Sequence, residues 1–287
     1  MVHQSPDIRA GLYIVATPIG TASDISLRAL HLIATANVLV AEDKRNLLKL
    51  MKIHDIKLAR RPLISYNDHN GQEKRPKIMD ILKKQKSVVF VSDAGTPLIA
   101  DPGYRLVSEA ISNGICVSGV PGASAVLAAL MISGLPTDKF FFGGFIPAKT
   151  EAKRIFFAKY LNLPATLVFY ESSLRLSKTL AQLCSVCEHG RHIVVCRELT
   201  KKFEEVQRGT LKEVAEHFVA LGKVKGEIVL LLSPPQPEAF GNEQIDKILI
   251  DAMDFMSFKD AVSFVAKRLN MSRKIVYTKA LGIKNAL

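Results

Sequence analysis

Apolar and polar positions change rhythm repeatedly along this chain. GLYIVAT at 11–17 is an apolar, β-branched run that stops at Pro18, and it predicts a strand. The stretch 25–36 then takes helical spacing through Ile25, Leu27, Leu30, Ile33 and Ala34. NVLVA at 37–41 predicts the next strand, ending at Glu42 and Asp43. Helical patterns near 46–52 and 74–85 lead into a third strand, SVVFVS at 87–92. A helix is expected over 102–114, with Asp101 as its cap, Pro102 at its first turn and Gly114 at its stop. ICVSGVPG at 115–122 is the fourth strand. Strands that are apolar almost throughout, alternating with helices, predict a parallel sheet covered on both faces.

A second α/β block follows. Strands are expected at 139–145, 165–170, 192–199 and 226–233, with helices at about 149–160, 174–184 and 210–221. SPPQPEAFGNEQ at 233–244 is Pro-rich and poor in apolar residues, so it reads as a linker. Beyond it the pattern is helical. Ser257 and Asp260 form a capping box, and Phe258, Ala261, Val262, Val265 and Leu269 share a face. Asn270 is expected to end that helix and Ser272 to cap another, RKIVYTKAL. Helix, short turn and basic helix give the outline of a helix-turn-helix, which a plain helical hairpin with a solvated face would match equally well. The expected domains are therefore an α/β domain over 11–121, a second over 122–236 and a helix-turn-helix-like tail over 243–287.

Charge changes this picture more than size does. The 287 residues carry a net charge of +12, and the segment from Ala261 to Leu287 holds six Lys or Arg and no acid. Such an excess favours an anionic partner, nucleic acid above all. The start, MVHQSPDIRAG, has no apolar core of a signal peptide. The longest charge-free stretch, 110–137, is broken by Gly, Ser and Pro, so no membrane span is expected. Of the four cysteines, Cys184 and Cys187 form one CxxC with no second pair to complete a metal site. No metal is expected, and these features together suggest the cytoplasm.

Candidate chemistry gathers at strand ends. Four loops leave the carboxyl ends of the first block's strands: ATPIGTASD (16–24), AEDKRN (41–46), SDAGTPLIADPG (92–103) and GVPGASA (119–125). Ligands of open parallel sheets bind beyond those ends. Pro and Gly fix the backbone there, so N–H and C=O groups can face a ligand without a further ordering cost. Four such loops together point to a site, where one alone would be an ordinary turn.

These loops carry a family resemblance. LYIVATPIG (12–20), AEDKR (41–45), SYNDHN (65–70), VSDAGTPLIADPGYRLV (91–107), VPGASAVLAAL (120–130), FFFGGFIPAK (140–149), VFYES (168–172) and CRELTKKFEE (196–205) resemble the tetrapyrrole-methylase-like superfamily of S-adenosylmethionine-dependent methyltransferases. The likeness is to the branch that methylates a cytidine ribose 2′-hydroxyl in 16S rRNA, and it covers nearly the whole chain to residue 233. Thr21-Ala22, Lys44 and Gly71 depart from the usual residues of that branch.

The resemblance implies two α/β domains with S-adenosyl-L-methionine folded in the cleft between them, a small helical tail, 16S rRNA of the small subunit as substrate, and a homodimer. It places Pro18, Asp93, Ala94, Gly95, Thr96, Pro97, Ser124, Ala125, Tyr170 and Glu171 at the cofactor. A ribose hydroxyl is a poor nucleophile, so a base or cation near it is expected. Glu198 and Lys201 are the candidates for that role, with Glu42, Arg45 and Arg197 for substrate contact. Arg60-Arg61, Lys83-Lys84-Lys86, Lys149, Lys153-Arg154 and the tail are candidates for phosphate contact.

Three other readings are weaker. GGFIPAKT (143–150) approaches a P-loop, but Ala148 stands where the second Gly is needed and Pro147 lacks a donor. A DNA-binding regulator built on 257–281 leaves the four loops unexplained. Methylation of a small, tetrapyrrole-like molecule on the same fold is the remaining alternative, against which the basic tail argues.

Overall fold

The computed structural model describes residues 8–187, 190–235, 242–269 and 271–286. The chain divides into two compact units at Pro234–Pro235. The expected break at Asn270, and most of the Pro-rich linker, lie outside the described residues.

The first unit begins with a five-stranded sheet in the order β3-β2-β4-β1-β5, formed by β1 (Gly11–Val15), β2 (Val38–Ala41), β3 (Leu63–Ser65), β4 (Ser87–Val91) and β5 (Val117–Val120). Every pairing is parallel. Side chains alternate between its faces. Leu39, Ala41, Val89 and Val91 join one core with Ala29, Leu32 and Ile33 of α1 (Leu27–Thr35) and Leu47 and Met51 of α2 (Lys44–Ile53). Val38, Val40, Val88 and Phe90 join the other, with Ile78, Met79 and Leu82 of α3 (Gly71–Lys83) and Leu106 and Ala110 of α4 (Tyr104–Ser112). Burial on both faces explains the unbroken apolar runs read in the sequence.

The second sheet, β6-β7-β10-β8-β9, is mixed. It contains β6 (Phe140–Phe145), β7 (Thr166–Ser172), β8 (His192–Arg197), β9 (Glu205–Thr210) and β10 (Glu227–Leu232), and only β6 and β7 pair in parallel. One face packs on α6 (Thr150–Tyr160), α7 (Leu176–Val186) and α8 (Leu211–Leu221) through Phe157, Leu180 and Phe218. The other face takes α5 (Ala125–Ser133) through Val126, Ala129 and Leu130, and Ile19 of the first loop packs into the same cluster.

The second unit is helical: α9 (Asn242–Phe255), α10 (Phe258–Arg268) and α11 (Arg273–Ala286). Ala261, Val262, Val265 and Leu269 form its core with Leu249, Val276 and Ala280. Ser257 caps α10 by accepting from the Asp260 N–H.

One expectation is corrected here. Asp101 does not cap the helix after the third loop, and Pro102 is not its first residue. The N-cap is Gly103, at φ 126°, and it carries no side-chain cap. Gly is required there because a Cβ would lie 2.6 Å from Cε1 of Phe90 as well as in the left-handed region. Gly103→Ala is expected to lower folding stability by about 1–3 kcal/mol, read as a lower urea midpoint at unchanged slope.

Candidate active site between the two sheets

The chain leaves β1 and β4, adjacent strands, towards opposite faces of the first sheet, since α1 packs on one face and α4 on the other. That divergence opens a crevice at the strand ends. Two backbone bonds join the departing loops across it: Thr17 N–H to Gly95 O and Gly95 N–H to Thr17 O, both 2.9 Å. Gly95 takes φ 76° to make this turn. Thr96 Oγ1 donates to Ala123 O at 3.0 Å, which ties the third loop to the fourth. Leu98 and Ala100 hold positive φ angles of 72° and 63°, a cost that the surrounding bonds must sustain. The density of Gly and Pro in this loop therefore has a use: it bends under the fourth loop and against the first.

A cavity of 420 Å³ lies over these loops. Ala94, Gly95, Thr96, Ser124, Ala125, Tyr170 and Glu171, seven of the residues that the resemblance assigns to the cofactor, line it together. Pro18 and Asp93 instead line the adjoining cavity described below, and Pro97 is buried on neither wall. Ile19, Ile99 and Phe145 supply apolar wall, while Asp101, Gly226 and Glu227 are lining residues that sequence reasoning missed. Ser124 is the N-cap residue of α5 but makes no side-chain cap bond, and the Val126 N–H in the helix's first turn donates to the Tyr170 phenol oxygen. Tyr170 packs edge-on against Phe142 and Phe145. Burial pushes its phenol up to about 12, reinforced by the charges of Asp101 and Glu227, so it stays protonated.

Glu171 reaches the cavity with its residue but not with a free carboxylate. Its oxygens accept from Thr179 Oγ1 at 2.5 Å, Ser172 N–H at 2.7 Å and Arg175 at 2.6 Å. Lys153 Nζ lies 3.9 Å away and donates to Thr179 Oγ1 at 2.6 Å. Burial lowers the Lys153 pKa, opposed by Glu171. This corrects two readings. Lys153 is buried and cannot meet RNA phosphate. Arg61 is likewise occupied, donating to the carbonyls of Ile33, Ala36, Lys57 and Leu58. Lys49 and Lys201, along with Asn46 and Leu50, sit on the second cavity.

That second cavity, of 540 Å³, shares Ile19, Ala94 and Glu227 with the first. Lys201 Nζ bonds Glu198 Oε1 at 2.9 Å and Glu227 Oε2 at 2.8 Å on its wall. The Glu227 N–H also donates to Glu198 Oε1, and the Glu198 N–H to Glu227 O. Gly20 and Gly226 permit this packing. A Cβ on either would lie 2.5 Å from Cγ of Lys201 or of Glu198. Thr21, the departure in the first loop, bonds Thr200 through both its N–H and its hydroxyl, so it fastens the first loop to the 198–201 turn. Burial pulls the Lys201 ammonium down, but its bonds to Glu227 and Glu198 outweigh that and leave its pKa above the ordinary value. The Glu227 N–H and then the Lys201 ammonium hold the Glu198 carboxyl below its ordinary value.

The other substrate candidates are placed differently. Arg45 is 89% exposed, is paired with Asp43 at its own helix start and lines neither cavity. Arg197 pairs with Glu205 at 2.7 Å and faces a separate depression. Glu42 accepts from Asp93 N–H at 3.3 Å. Burial raises its carboxyl pKa, with the Asp93 charge adding and that N–H opposing. Among the described residues no group of His, Cys, Asp and Glu could hold a metal ion.

Residues 11–215 match the family model of tetrapyrrole (corrin/porphyrin) methylases. The ribosomal RNA small subunit methyltransferase I of Mesorhizobium japonicum is 41% identical over 278 residues, covering 97% of this chain and 94% of that protein. This chain belongs to that methyltransferase I family. The namesake of Halalkalibacterium halodurans is 38% identical over 283 residues, covering 96% of each. The uroporphyrin-III C-methyltransferase of Thermus thermophilus, solved with S-adenosylhomocysteine, matches with a TM-score of 0.53 at 20% identity, over 78% of this chain and 97% of that one. It shares the fold.

Two outcomes test the site's construction. Glu171→Ala leaves Lys153 buried without its carboxylate and is expected to cost about 3–5 kcal/mol, while Lys153→Met with Glu171→Leu recovers part of that loss; urea unfolding measures both. Glu198 has a folded pKa below its ordinary 4.5, so its contribution is present above that value and is lost as pH falls through the lowered one. The stability gap between the native chain and Glu198→Gln, followed by thermal melts from pH 7 to 3, should therefore be largest at neutral pH and close in acid.

Proposed function

We propose that this chain transfers a methyl group from S-adenosyl-L-methionine to a cytidine ribose 2′-hydroxyl in 16S rRNA of the small ribosomal subunit. Relatives that match it nearly end to end carry the ribosomal RNA name. The observation that carries the mechanism is the shared wall of the two cavities, on which Glu227 stands bonded to Lys201. Methylation of a tetrapyrrole-like small molecule is the less supported reading, because the relatives named for that chemistry here share the fold at 20% identity.

The 420 Å³ cavity suits one cofactor, being within the ~300–1,000 Å³ of ligand sites generally. Ala94, Gly95 and Thr96 would hold it from the first domain and Tyr170 from the second. The start of α5 at Ser124 and Ala125 would meet its carboxylate with backbone N–H groups. When bound, the cofactor supplies an electrophilic methyl group on a positively charged sulfur. Ile19, Ile99 and Phe145 keep water from that centre. Asp93 Oδ1 accepts the Asp43 N–H at 3.0 Å and so joins the second loop to the third.

In the adjoining cavity Lys201 is a cation at neutral pH, not a base. Its ammonium orients the incoming hydroxyl and favours the oxyanion that develops there. Of the two carboxylates bonded to it, Glu198 is engaged by a backbone N–H. Glu227, with its side chain 78% exposed, is the one a 2′-hydroxyl can reach as proton acceptor. An rRNA substrate puts this work in the cytoplasm, and no helix among the described residues is long and apolar enough to cross a membrane. A homodimer fits the same reading.

Lys201→Ala is expected to lower kcat by about 10- to 100-fold while cofactor affinity holds, since one charge-assisted bond in the transition state is lost. Label from radiolabelled S-adenosylmethionine on 30S subunits lacking the modification, followed by nucleoside analysis, measures the rate. Turnover equal to the native enzyme would overturn the role given to Lys201, and label outside 2′-O-methylcytidine would overturn the function.

A further inference from the structure

One turn further along the same loop, the chain builds a surface that the two cavities do not use. Phe203 is 64% exposed at its tip. Lys202 Nζ stands 5.5 Å from the centre of its ring. Lys223 and Lys225 of the turn before β10 line the same depression, of 580 Å³, as Phe203. None of these three lysines is in an ion pair among the described residues. The acids beside them are already engaged: Glu205 with Arg197, and Glu204 with the Thr200 N–H at 2.6 Å. Phe203 belongs to none of the hydrophobic cores and shares its depression with Leu221 and Val224 as well as these lysines.

The turn is also rigid. Glu198 and Thr200 hold positive φ angles of 51° and 62°, Lys201 N–H bonds Glu198 O, and Glu204 N–H bonds Lys201 O. Thr21 ties it from the other domain. A ring held this way loses little freedom on binding a flat partner. Lys202 follows Lys201 in the chain and Lys225 stands two residues before Glu227, so this surface adjoins, along the chain, the two residues on the wall of the second cavity.

We infer that Phe203, with Lys202, Lys223 and Lys225, binds the single-stranded RNA segment flanking the target nucleotide, a base stacking on the ring and the lysines holding its phosphates. This rests on the function proposed above and names how the substrate is held. Stacking on an aromatic ring accepts any base, so the surface contributes grip and strand direction rather than sequence.

The test uses the full-length chain, a fluorescein-labelled single-stranded RNA and 30S subunits lacking the modification. Phe203→Ala should weaken binding of both about 5- to 100-fold, Phe203→Trp should retain it, and kcat at saturating subunit should hold while KM rises. Replacing the three lysines by Ala should flatten the slope of log affinity against log salt by about 2. Cofactor affinity and thermal midpoint should be unchanged in every variant, because the positions are exposed. Native RNA affinity in Phe203→Ala, or equal loss of binding to a polyglutamate peptide, would overturn the inference. A native enzyme that binds the RNA through Phe203 but transfers no methyl would instead overturn the proposed function and leave this surface standing.

Discussion

Two hydrogen bonds between Thr17 and Gly95 set the terms for the site. The chains leaving β1 and β4 part to opposite faces of the sheet, and these bonds span the crevice between them. The pair is an isolated antiparallel bridge between two strands that are themselves parallel. It can form only because both loops turn back sharply, which is where Gly95 at φ 76° is needed. Once it is made, Ile19 is carried across to the core of the second sheet, and Thr21 reaches Thr200. The first loop thus fastens the two sheets of the first unit to each other beside the two cavities.

How much of this was legible depended on whether a segment's chemistry was local. The long parallel strands were readable because burial on both faces makes them apolar without interruption. β3 was missed because three residues, LIS, are too few to show a period. β9, EVQRGT, was missed because it is an antiparallel edge strand with no buried face, paired only to β8. The loop SDAGTPLIADPG was recognised as a site, yet Asp101 was assigned to a helix cap. Asp101 instead lines the cavity with its side chain bonded to Ser92, and Gly103, with no Cβ to strike Phe90, starts the helix.

The same distinction separates the candidates. Glu198 and Lys201 stand three residues apart and could be read as a pair. Glu227 completes them from 26 residues away, through the antiparallel pairing of β8 with β10 that places Ile228 opposite Arg197. No spacing in the sequence signals that contact. Glu171 was legible as a cavity residue but not as the centre of a buried charge group, since Lys153 and Thr179 come to it from two different helices. Four polar side chains there hold the wall that carries Tyr170, and its position follows from theirs.

Charge on this chain therefore has two separate uses. Buried or paired groups such as Glu171, Lys153, Arg61 and Glu198 fix the backbone, and none of them can be exchanged for contact with RNA without unmaking the site. Unpaired lysines are left to meet a polyanion, and their value depends on where the fixed groups put them. Lys201 is of the paired kind, yet it stands at a cavity wall. Its carboxylate partners keep it charged, while its place between two cavities gives that charge something to act on. A net charge of +12 states only that an anionic partner is favoured. The turn from Glu198 to Glu204 gives that preference a place, because it sets Lys201 on the wall of the second cavity and Lys202 and Phe203 on a separate depression.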